Sequence, residues 1–388
     1  MWIEREISSL IKQIHAERPA LLLTGARQTG KSSLLSRLFP EFPYVSLDVP
    51  LEARQASENG SFFLETHGIP LAIDEIQYAP ELFRSIKIRI DQYRSMSGQF
   101  IMTGSQQFSL MKGVSESLAG RIAILNLHTL SARELARHYK TSPKQEKILE
   151  WIIKGGYPEI YQHSLEPNRF FSDYMATYIE RDVRQLINIR NLREFDQFMR
   201  LLALRSGQIF SMSRLATEIG VSTNTIKSWI GVLEASNIIY LLKPYYKNFG
   251  KRIIKSPKLY FMDTGLLCYL MNIQTTDSLR NNPLLGAIFE TYVLGQLLRN
   301  FHNQGIADEL YYFRDKDGRE VDFLIPEGNL LNLYECKWHD ESGEIPKNIK
   351  KIINIFGEET VKQICTLTTA PQNTPISPTF RVSNVIDL

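Results

Sequence analysis

Residues 20–32 read Ala-Leu-Leu-Leu-Thr-Gly-Ala-Arg-Gln-Thr-Gly-Lys-Ser, an apolar run followed at once by a loop with glycine near both ends. The last eight residues fit the spacing G-x-x-x-x-G-K-[ST], in which a strand comes before the loop and a helix after it. The N–H groups of such a loop surround phosphate groups, and the helix N-terminus adds a favourable dipole. We therefore expect a phosphate-binding loop. Its expected nucleotide contacts are Gly25, Ala26, Arg27, Gln28, Thr29, Gly30, Lys31, Ser32 and Ser33.

Two side chains of this loop have separate expected tasks. Lys31 is expected to reach the β- and γ-phosphates, and the hydroxyl of Ser32 is expected to bind magnesium. A chance glycine loop is the alternative, but the flanking strand and helix and a second motif argue against it. The sequence therefore predicts a site for ATP with Mg²⁺.

The second motif is Leu-Ala-Ile-Asp-Glu at 71–75, a short apolar run that ends in two carboxylates. Asp74 is expected to hold the magnesium through water, and Glu75 to polarise the attacking water as general base. The alternative is an acidic loop at the end of a strand. If Asp74 and Glu75 have these two roles, the protein hydrolyses the nucleotide and does not only bind it.

Two further residues are weaker candidates for the same reaction. Ser105 follows the apolar run 100–102 and is expected to sense the γ-phosphate, with Thr103 or Gln106 as alternatives. Arg121 is expected to act as an arginine finger, which spreads the charge of the transition state. The alternatives are an ordinary polar turn at 105 and a surface arginine at 121.

Bulk composition limits the remaining choices. A chain of 388 residues predicts two to four compact units. Its net charge of +3 is too small to indicate a nucleic-acid partner, and three scattered cysteines predict neither a disulfide framework nor a zinc cluster. We find no signal-peptide pattern and no apolar run of about 20 residues, so we expect a cytoplasmic protein with no membrane partner.

The order of motifs resembles a family of bacterial and archaeal AAA-type ATPases with a C-terminal domain of unknown function. The matching stretches are GARQTGKS at 25–32, AIDEIQ at 72–77, TGSQQ at 103–107, SLAGR at 117–121, GGYPE at 155–159, YIERDVRQL at 178–186, PKLYFMDTG at 257–265 and REVDF at 319–323. The resemblance implies an α/β multidomain protein. Its implied parts are an AAA-type P-loop ATPase domain with a parallel sheet at 1–130, a helical lid or linker at 131–206, a winged helix-turn-helix at 207–257 and a nuclease-like α/β domain at 258–388.

Residues 207–240 have the pattern of two short helices joined by a glycine turn. Ser213 is expected to cap the first helix and Ser222 the second. The second helix would expose four side chains that could meet DNA: Thr223, Asn224, Lys227 and Ser228. The next segment, 243–258, holds six basic residues and no acid, which suits a wing on the phosphate backbone. The alternative is a packing module between larger domains.

The last constellation is Asp322, with Glu335 and Lys337 on the following strand. It resembles the core of PD-(D/E)xK phosphodiesterases, in which both carboxylates bind a metal and the lysine orients water. Glu290 on an upstream helix is expected to add a third acid. The alternative is an ion-pair cluster, with Lys337 and Arg319 supplying the positive charge.

These readings lead to three hypotheses from different classes. The first is an ATP-hydrolysing switch that controls a DNA-directed module, with a nuclease as one form of that module. The second is a non-catalytic DNA- or protein-binding regulator set by ATP, and the third is a signalling ATPase without a nucleic-acid partner. A finger at Arg121 that acts in trans would also require a homo-oligomer.

Overall fold

The structure is a computed structural model that describes residues 2–105, 118–177, 192–245, 256–339, 344–370 and 373–388. Several predicted features lie outside these residues. They are Gln106, Ser117, the motif at 178–186 and most of the basic segment after 245. No helix in the described part of the chain is long and apolar enough to cross a membrane.

The first part of the chain forms a five-stranded parallel sheet, as predicted. Its strands are β1 (Ala20–Thr24), β2 (Tyr44–Ser46), β3 (Leu71–Asp74), β4 (Phe100–Gly104) and β5 (Ile122–Asn126). They are ordered β2-β3-β4-β1-β5. Strands β1, β3 and β4 are buried along their whole length, which explains their continuous apolar sequences. All five carboxyl ends therefore meet at one edge of the sheet.

Helices cover both faces of this sheet. They are α1 (Ser8–Glu17), α2 (Lys31–Leu38), α3 (Pro50–Glu58), α4 (Gly60–His67) and α5 (Leu82–Gln92). Side chains of β1 alternate between the two faces. Leu22 packs in the core with α4 and α5, whereas Leu21 and Leu23 pack in the core with α1 and α2. The sheet is thus the middle layer of a three-layer α/β unit.

The middle of the chain is helical, as expected for the lid or linker at 131–206. The helices are α6 (Ala132–Tyr139), α7 (Gln145–Lys154), α8 (Pro158–Gln162), α9 (Pro167–Tyr174) and α10 (Leu192–Ala203). Ser131 and Glu134 form a capping box that fixes the start of α6. This start follows β5 closely and so lies near the carboxyl edge of the first sheet.

The next segment contains β6 (Gln208–Ile209), α11 (Met212–Ile219), α12 (Thr223–Ala235), β7 (Ile239–Pro244) and β8 (Lys258–Phe261). The two predicted helices are present, and Ser222 caps the second as expected. The cap predicted for the first helix is wrong. Ser211, not Ser213, accepts the hydrogen bond from the N–H of Arg214, because the helix begins one residue before Ser213.

The C-terminal part continues the strands of the preceding segment. Its elements are α13 (Thr264–Leu270), α14 (Thr276–Arg280), α15 (Leu285–Asn303), β9 (Tyr311–Arg314), β10 (Glu320–Glu327), β11 (Leu330–Cys336), α16 (Lys347–Phe356), β12 (Val361–Thr368), β13 (Thr374–Pro375) and β14 (Phe380–Asn384). Strand β7 pairs with both β8 and β9, so the second sheet has the order β13-β14-β12-β11-β10-β9-β7-β8-β6. The boundary expected at 257/258 therefore falls between two strands that pair with each other.

Candidate nucleotide site

The glycine loop leaves the carboxyl end of β1 and enters α2, which is the place that the motif requires. Gly25 has φ +143°, and a Cβ at this position would lie 2.2 Å from the carbonyl oxygen of Leu127. Gly30 also has a positive φ, +89°, at the start of α2. Only glycine fits the first position, because the loop turns tightly against the backbone after β5.

Lys31 points into this loop. Its ammonium group donates to the carbonyl oxygens of Gly25, at 3.1 Å, and Ala26, at 2.8 Å. Burial lowers the pKa of Lys31 to about 8, while Glu75 and Asp74 act in the opposite direction. The side chain is therefore mostly protonated at neutral pH and lies beside the loop that would receive phosphate.

Asp74 is the centre of the polar contacts at this edge of the sheet. It accepts hydrogen bonds from the hydroxyl groups of Ser32, at 2.8 Å, Tyr44, at 2.6 Å, and Thr103. Ser32 and Asp74, the two predicted magnesium residues, thus lie in direct contact although they come from α2 and β3. Hydroxyl and carboxylate oxygens are the ligands that Mg²⁺ prefers, so this pair fits the ion.

Tyr44 was not among the predicted site residues. It is 47% exposed at the start of β2, where it pairs with Ala72, and its hydroxyl reaches two residues further along β3 to Asp74. Burial and the hydrogen bond to Asp74 raise the pKa of Tyr44 well above its ordinary value. Tyr44 therefore acts as a hydrogen-bond donor to Asp74 over the whole physiological pH range.

Glu75 follows Asp74 in a left-handed conformation, with φ 56°. Its N–H donates to the hydroxyl of Thr103 at 3.1 Å, and its carboxylate accepts from the hydroxyl of Ser105 at 3.2 Å and from the amide of Gln77. The predicted base and the predicted sensor are therefore in contact with each other. Gln77 was missed, because only the turn at Glu75 brings its side chain back to the carboxylate.

Arg121 lies away from this site. Its guanidinium group forms two hydrogen bonds with Asp91 of α5, at 2.6 and 3.1 Å. Ala20 pairs with Ile122, so Arg121 is at the amino edge of the sheet, whereas the glycine loop leaves the carboxyl edge after Thr24. Four residues of strand separate the two edges by about 13 Å. Arg121 does not contact the glycine loop of its own chain.

The remaining loop residues and the DNA-contact candidates stay predictions. Gln28 and Ser33 are exposed, and Thr29 is buried with its hydroxyl bonded to the carbonyl of Ala26. On α12, four polar side chains are exposed, as predicted: Thr223, Asn224, Lys227 and Ser228. The opposite face of α12 is buried, with Trp229 packed against Phe195 and Phe198.

The C-terminal carboxylates surround a lysine that was expected to face DNA. Lys258 is 2% exposed, and its ammonium group lies 2.8 Å from Glu290 and 4.0 Å from Asp322 and also contacts Glu320. The expectation that all six basic residues of 243–258 form a wing is wrong for Lys258, because β8 buries it. Arg319 does not supply the positive charge either, since it pairs with Asp315 and Asp317.

Other contacts define the rest of this cluster. Lys337 lies 2.9 Å from Glu335, and the N–H of Cys336 donates to Asp322 at 2.8 Å. Burial, Glu290 and Glu335 raise the pKa of Asp322 well above its ordinary value. Within the described residues, no group of three or more histidine, cysteine, aspartate or glutamate side chains is placed to hold a metal ion. The metal set of Glu290, Asp322 and Glu335 thus stays a prediction.

Three families match successive parts of the chain. The family described as "AAA domain" matches residues 17–136. Two domains of unknown function, DUF8612 and DUF4143, match residues 145–277 and 285–383. The range 145–277 covers the predicted helical unit from residue 145 onward, and it also covers both helices α11 and α12.

The chain is also similar to proteins and solved structures. It is 31% identical over 329 residues to the uncharacterized proteins Rv2008c of Mycobacterium tuberculosis and Mb2031c of Mycobacterium bovis, covering 84% of this chain and 72% of each of them. AMPPCP-bound DnaA from Aquifex aeolicus is 13% identical, with 59% of this chain and 85% of DnaA covered and a TM-score of 0.29. A TM-score this low supports no argument. The chain belongs to the family of the mycobacterial protein Rv2008c, and its first part is an AAA-type P-loop ATPase domain.

Proposed function

We propose that the protein is an ATP-hydrolysing switch that controls contact with DNA. The observation that carries the ATPase part is the contact between Ser32 and Asp74, with Glu75 as the next residue. A P-loop hydroxyl, a carboxylate at the end of the neighbouring strand and a second carboxylate beside it are the groups that magnesium-dependent hydrolysis needs.

Each residue then has a task in hydrolysis. Lys31 leaves the carbonyl oxygens of the loop and binds the β- and γ-phosphates. Ser32 and Asp74 would hold magnesium, which would neutralise phosphate charge. Glu75 accepts the proton of the attacking water, and Ser105 and Gln77 orient its carboxylate.

Hydrolysis of ATP by the full chain tests this part. We expect Mg²⁺-dependent turnover by the wild type and roughly 10²–10⁴-fold slower turnover by Glu75→Gln, with ATP binding retained. Glu81→Gln is the matched control, because Glu81 is exposed at the start of α5 and its side chain caps no helix. Full turnover by Glu75→Gln would remove Glu75 from the mechanism.

The DNA part of the proposal is supported by α12. Its exposed face carries hydroxyl, amide and ammonium groups and no acid over the first two turns, from Thr223 to Ser228. Helices of this kind present their first residues to base edges or to the phosphate backbone. Salt-dependent binding of duplex DNA by the full chain tests it, and binding that salt does not weaken would contradict it.

The C-terminal cluster allows two candidate functions. The position of Lys258 among Glu290, Glu320 and Asp322 favours a non-catalytic ion-pair cluster. The second candidate, a metal-dependent phosphodiesterase, is favoured by one oxygen of Glu335, which is buried and accepts no hydrogen bond from the described residues. Calorimetric titration of Mn²⁺ separates them. Binding by the wild type that Asp322→Asn abolishes would support the phosphodiesterase, and equal titration of both proteins would support the ion-pair cluster.

A further inference from the structure

Arg5 connects three parts of the molecule through one buried guanidinium group. The residue is 7% exposed, and each of its three side-chain nitrogens donates a hydrogen bond. Nε bonds to Glu134 at 3.1 Å, and the two terminal nitrogens bond to the carbonyl oxygens of Thr29 at 2.9 Å and His128 at 2.6 Å. The partners belong to the glycine loop, to the segment after β5 and to α6. No sequence motif includes Arg5, so sequence reasoning gave no reason to select it.

The bond to Thr29 affects the direction of a phosphate-binding group. In a trans peptide the carbonyl and the following N–H point in opposite directions. Arg5 donates to the carbonyl of Thr29, so the N–H of Gly30 is directed to the side away from Arg5. That side is where the loop and the start of α2 receive phosphate. Arg5 thus fixes a phosphate donor without reaching the phosphate itself.

The bond to Glu134 extends the connection beyond the ATPase domain. Glu134 also accepts from the N–H groups of Glu6 and Ser131, both at 2.8 Å, so it is held firmly at the start of α6. The N–H of Ala132, the first residue of α6, donates to the side-chain oxygen of Gln296 on α15 at 2.8 Å. A short series of buried polar contacts therefore joins the glycine loop to the long helix of the C-terminal part.

Apolar packing fixes the segment that carries Arg5. Ile3 is buried in the core shared by the helical and C-terminal parts, whereas Ile7 and Ile11 are buried in the core beneath the first sheet. Arg5 lies between these anchors, so its backbone cannot move without disturbing one of the two cores. The guanidinium group is therefore held in place on both sides.

We propose that Arg5 is a positioning residue of the phosphate loop, which directs the N–H of Gly30 at the bound nucleotide and ties the loop to α6. This inference rests on the proposed ATPase function. A lysine cannot replace Arg5, because a single ammonium group lacks the planar arrangement of donors that serves three acceptors. This coupling works in both directions. If the contacts of Arg5 strengthen nucleotide binding, then bound nucleotide must stabilise those contacts by the same free energy.

The test is ATP affinity of the full chain in the presence of Mg²⁺, with the melting temperature measured in parallel. For Arg5→Lys we expect roughly tenfold weaker ATP binding, the effect of losing one charge-assisted hydrogen bond that holds the loop. Arg299→Lys is the matched control. Arg299 is 5% exposed and donates to the carbonyl oxygens of Thr129 and Met262, but it does not contact the glycine loop. We expect this variant to lose melting temperature and to keep wild-type ATP affinity.

The outcomes separate the inference from the function on which it rests. Unchanged ATP affinity in Arg5→Lys, or an equal loss in Arg299→Lys, overturns the role of Arg5 and leaves the ATPase proposal intact. A wild type that binds ATP no better than Lys31→Ala overturns the ATPase proposal itself.

Amide hydrogen exchange on the wild type gives a second test if Arg5→Lys does not fold. ATP should slow exchange at Glu6, whose N–H shares Glu134 with Arg5, and at Gly30. Slower amide exchange at Gly30 without slower exchange at Glu6 overturns the proposed link between the glycine loop and α6.

Discussion

Replacement of Lys258 by methionine is expected to be strongly destabilising. The change removes a buried ammonium group that contacts three carboxylates and leaves a side chain of similar volume. Breaking a buried ion pair by removing one partner costs about 3–5 kcal/mol, because the remaining charge is left without compensation. Lys362→Met is the matched control. The side chain of Lys362 is 45% exposed and pairs with Glu327, which is itself 58% exposed, so we expect a loss below about 1 kcal/mol.

The pH dependence of this loss has a definite sign. Burial and neighbouring acids already raise the pKa of Asp322, and loss of Lys258 raises it further. An acid whose pKa is raised in the folded state destabilises the fold when it is ionised. The loss of folding free energy is complete at pH values above the pKa of the folded state. It disappears as the pH falls towards the pKa of the unfolded state. The difference between wild type and Lys258→Met should therefore be largest near pH 8 and smaller near pH 5.5.

Urea denaturation followed by circular dichroism measures this difference at the two pH values. A buried ion-pair role of Lys258 is refuted if Lys258→Met is no less stable than Lys362→Met at pH 8. It is also refuted if the loss grows on acidification. Recovery of Lys258→Met with millimolar Mn²⁺ would show that the carboxylates accept a divalent ion once the ammonium group is gone.

Three more predictions concern the first sheet and α12. Lys31→Ala should abolish ATP binding in calorimetry, because the ammonium group beside the loop is lost; retained affinity would contradict its phosphate role. If Arg121 acts on a neighbouring chain, Arg121→Ala should bind ATP but not hydrolyse it, and mixing it with Lys31→Ala protein should restore ATP hydrolysis. No restoration at any mixing ratio argues that Arg121 only forms a structural ion pair with Asp91. Lys227→Ala should reduce the slope of log K against log salt for DNA by about 0.9, whereas Lys147→Ala, a control on α7 paired with Glu150, should not change it.

The nucleotide site was largely predictable because its residues follow strand ends. Parallel strands bring their carboxyl ends to one edge, so the glycine loop and the acids at 74 and 75 had to meet there. Tyr44 and Gln77 were not predictable in the same way. Tyr44 pairs with Ala72 and reaches Asp74 two residues further along β3, and Gln77 reaches Glu75 across a left-handed turn.

The C-terminal cluster shows where a local pattern is insufficient. The spacing of Asp322 and Glu335 predicted two acids on paired strands, and β10 and β11 do pair. The positive charge was expected from Lys337 and Arg319, and Lys337 does pair with Glu335. The charge beside Glu290 and Asp322 comes from Lys258 and not from Arg319, since β7 joins β8 to β9 and so brings that lysine to the acids. A long-range strand pairing of this kind leaves no local signal in the sequence.

In the proposed switch, the nucleotide state controls contact with DNA. The most direct measurement is the affinity of Glu75→Gln protein for a fluorescently labelled duplex at fixed salt, with saturating ATP and then with saturating ADP. The variant should bind ATP without consuming it, so each state is stable during the titration. We predict that the two dissociation constants differ by about fivefold or more, the lower range of coupling between two sites. Equal dissociation constants, or no DNA binding in either state, would rule out control of DNA contact by the nucleotide.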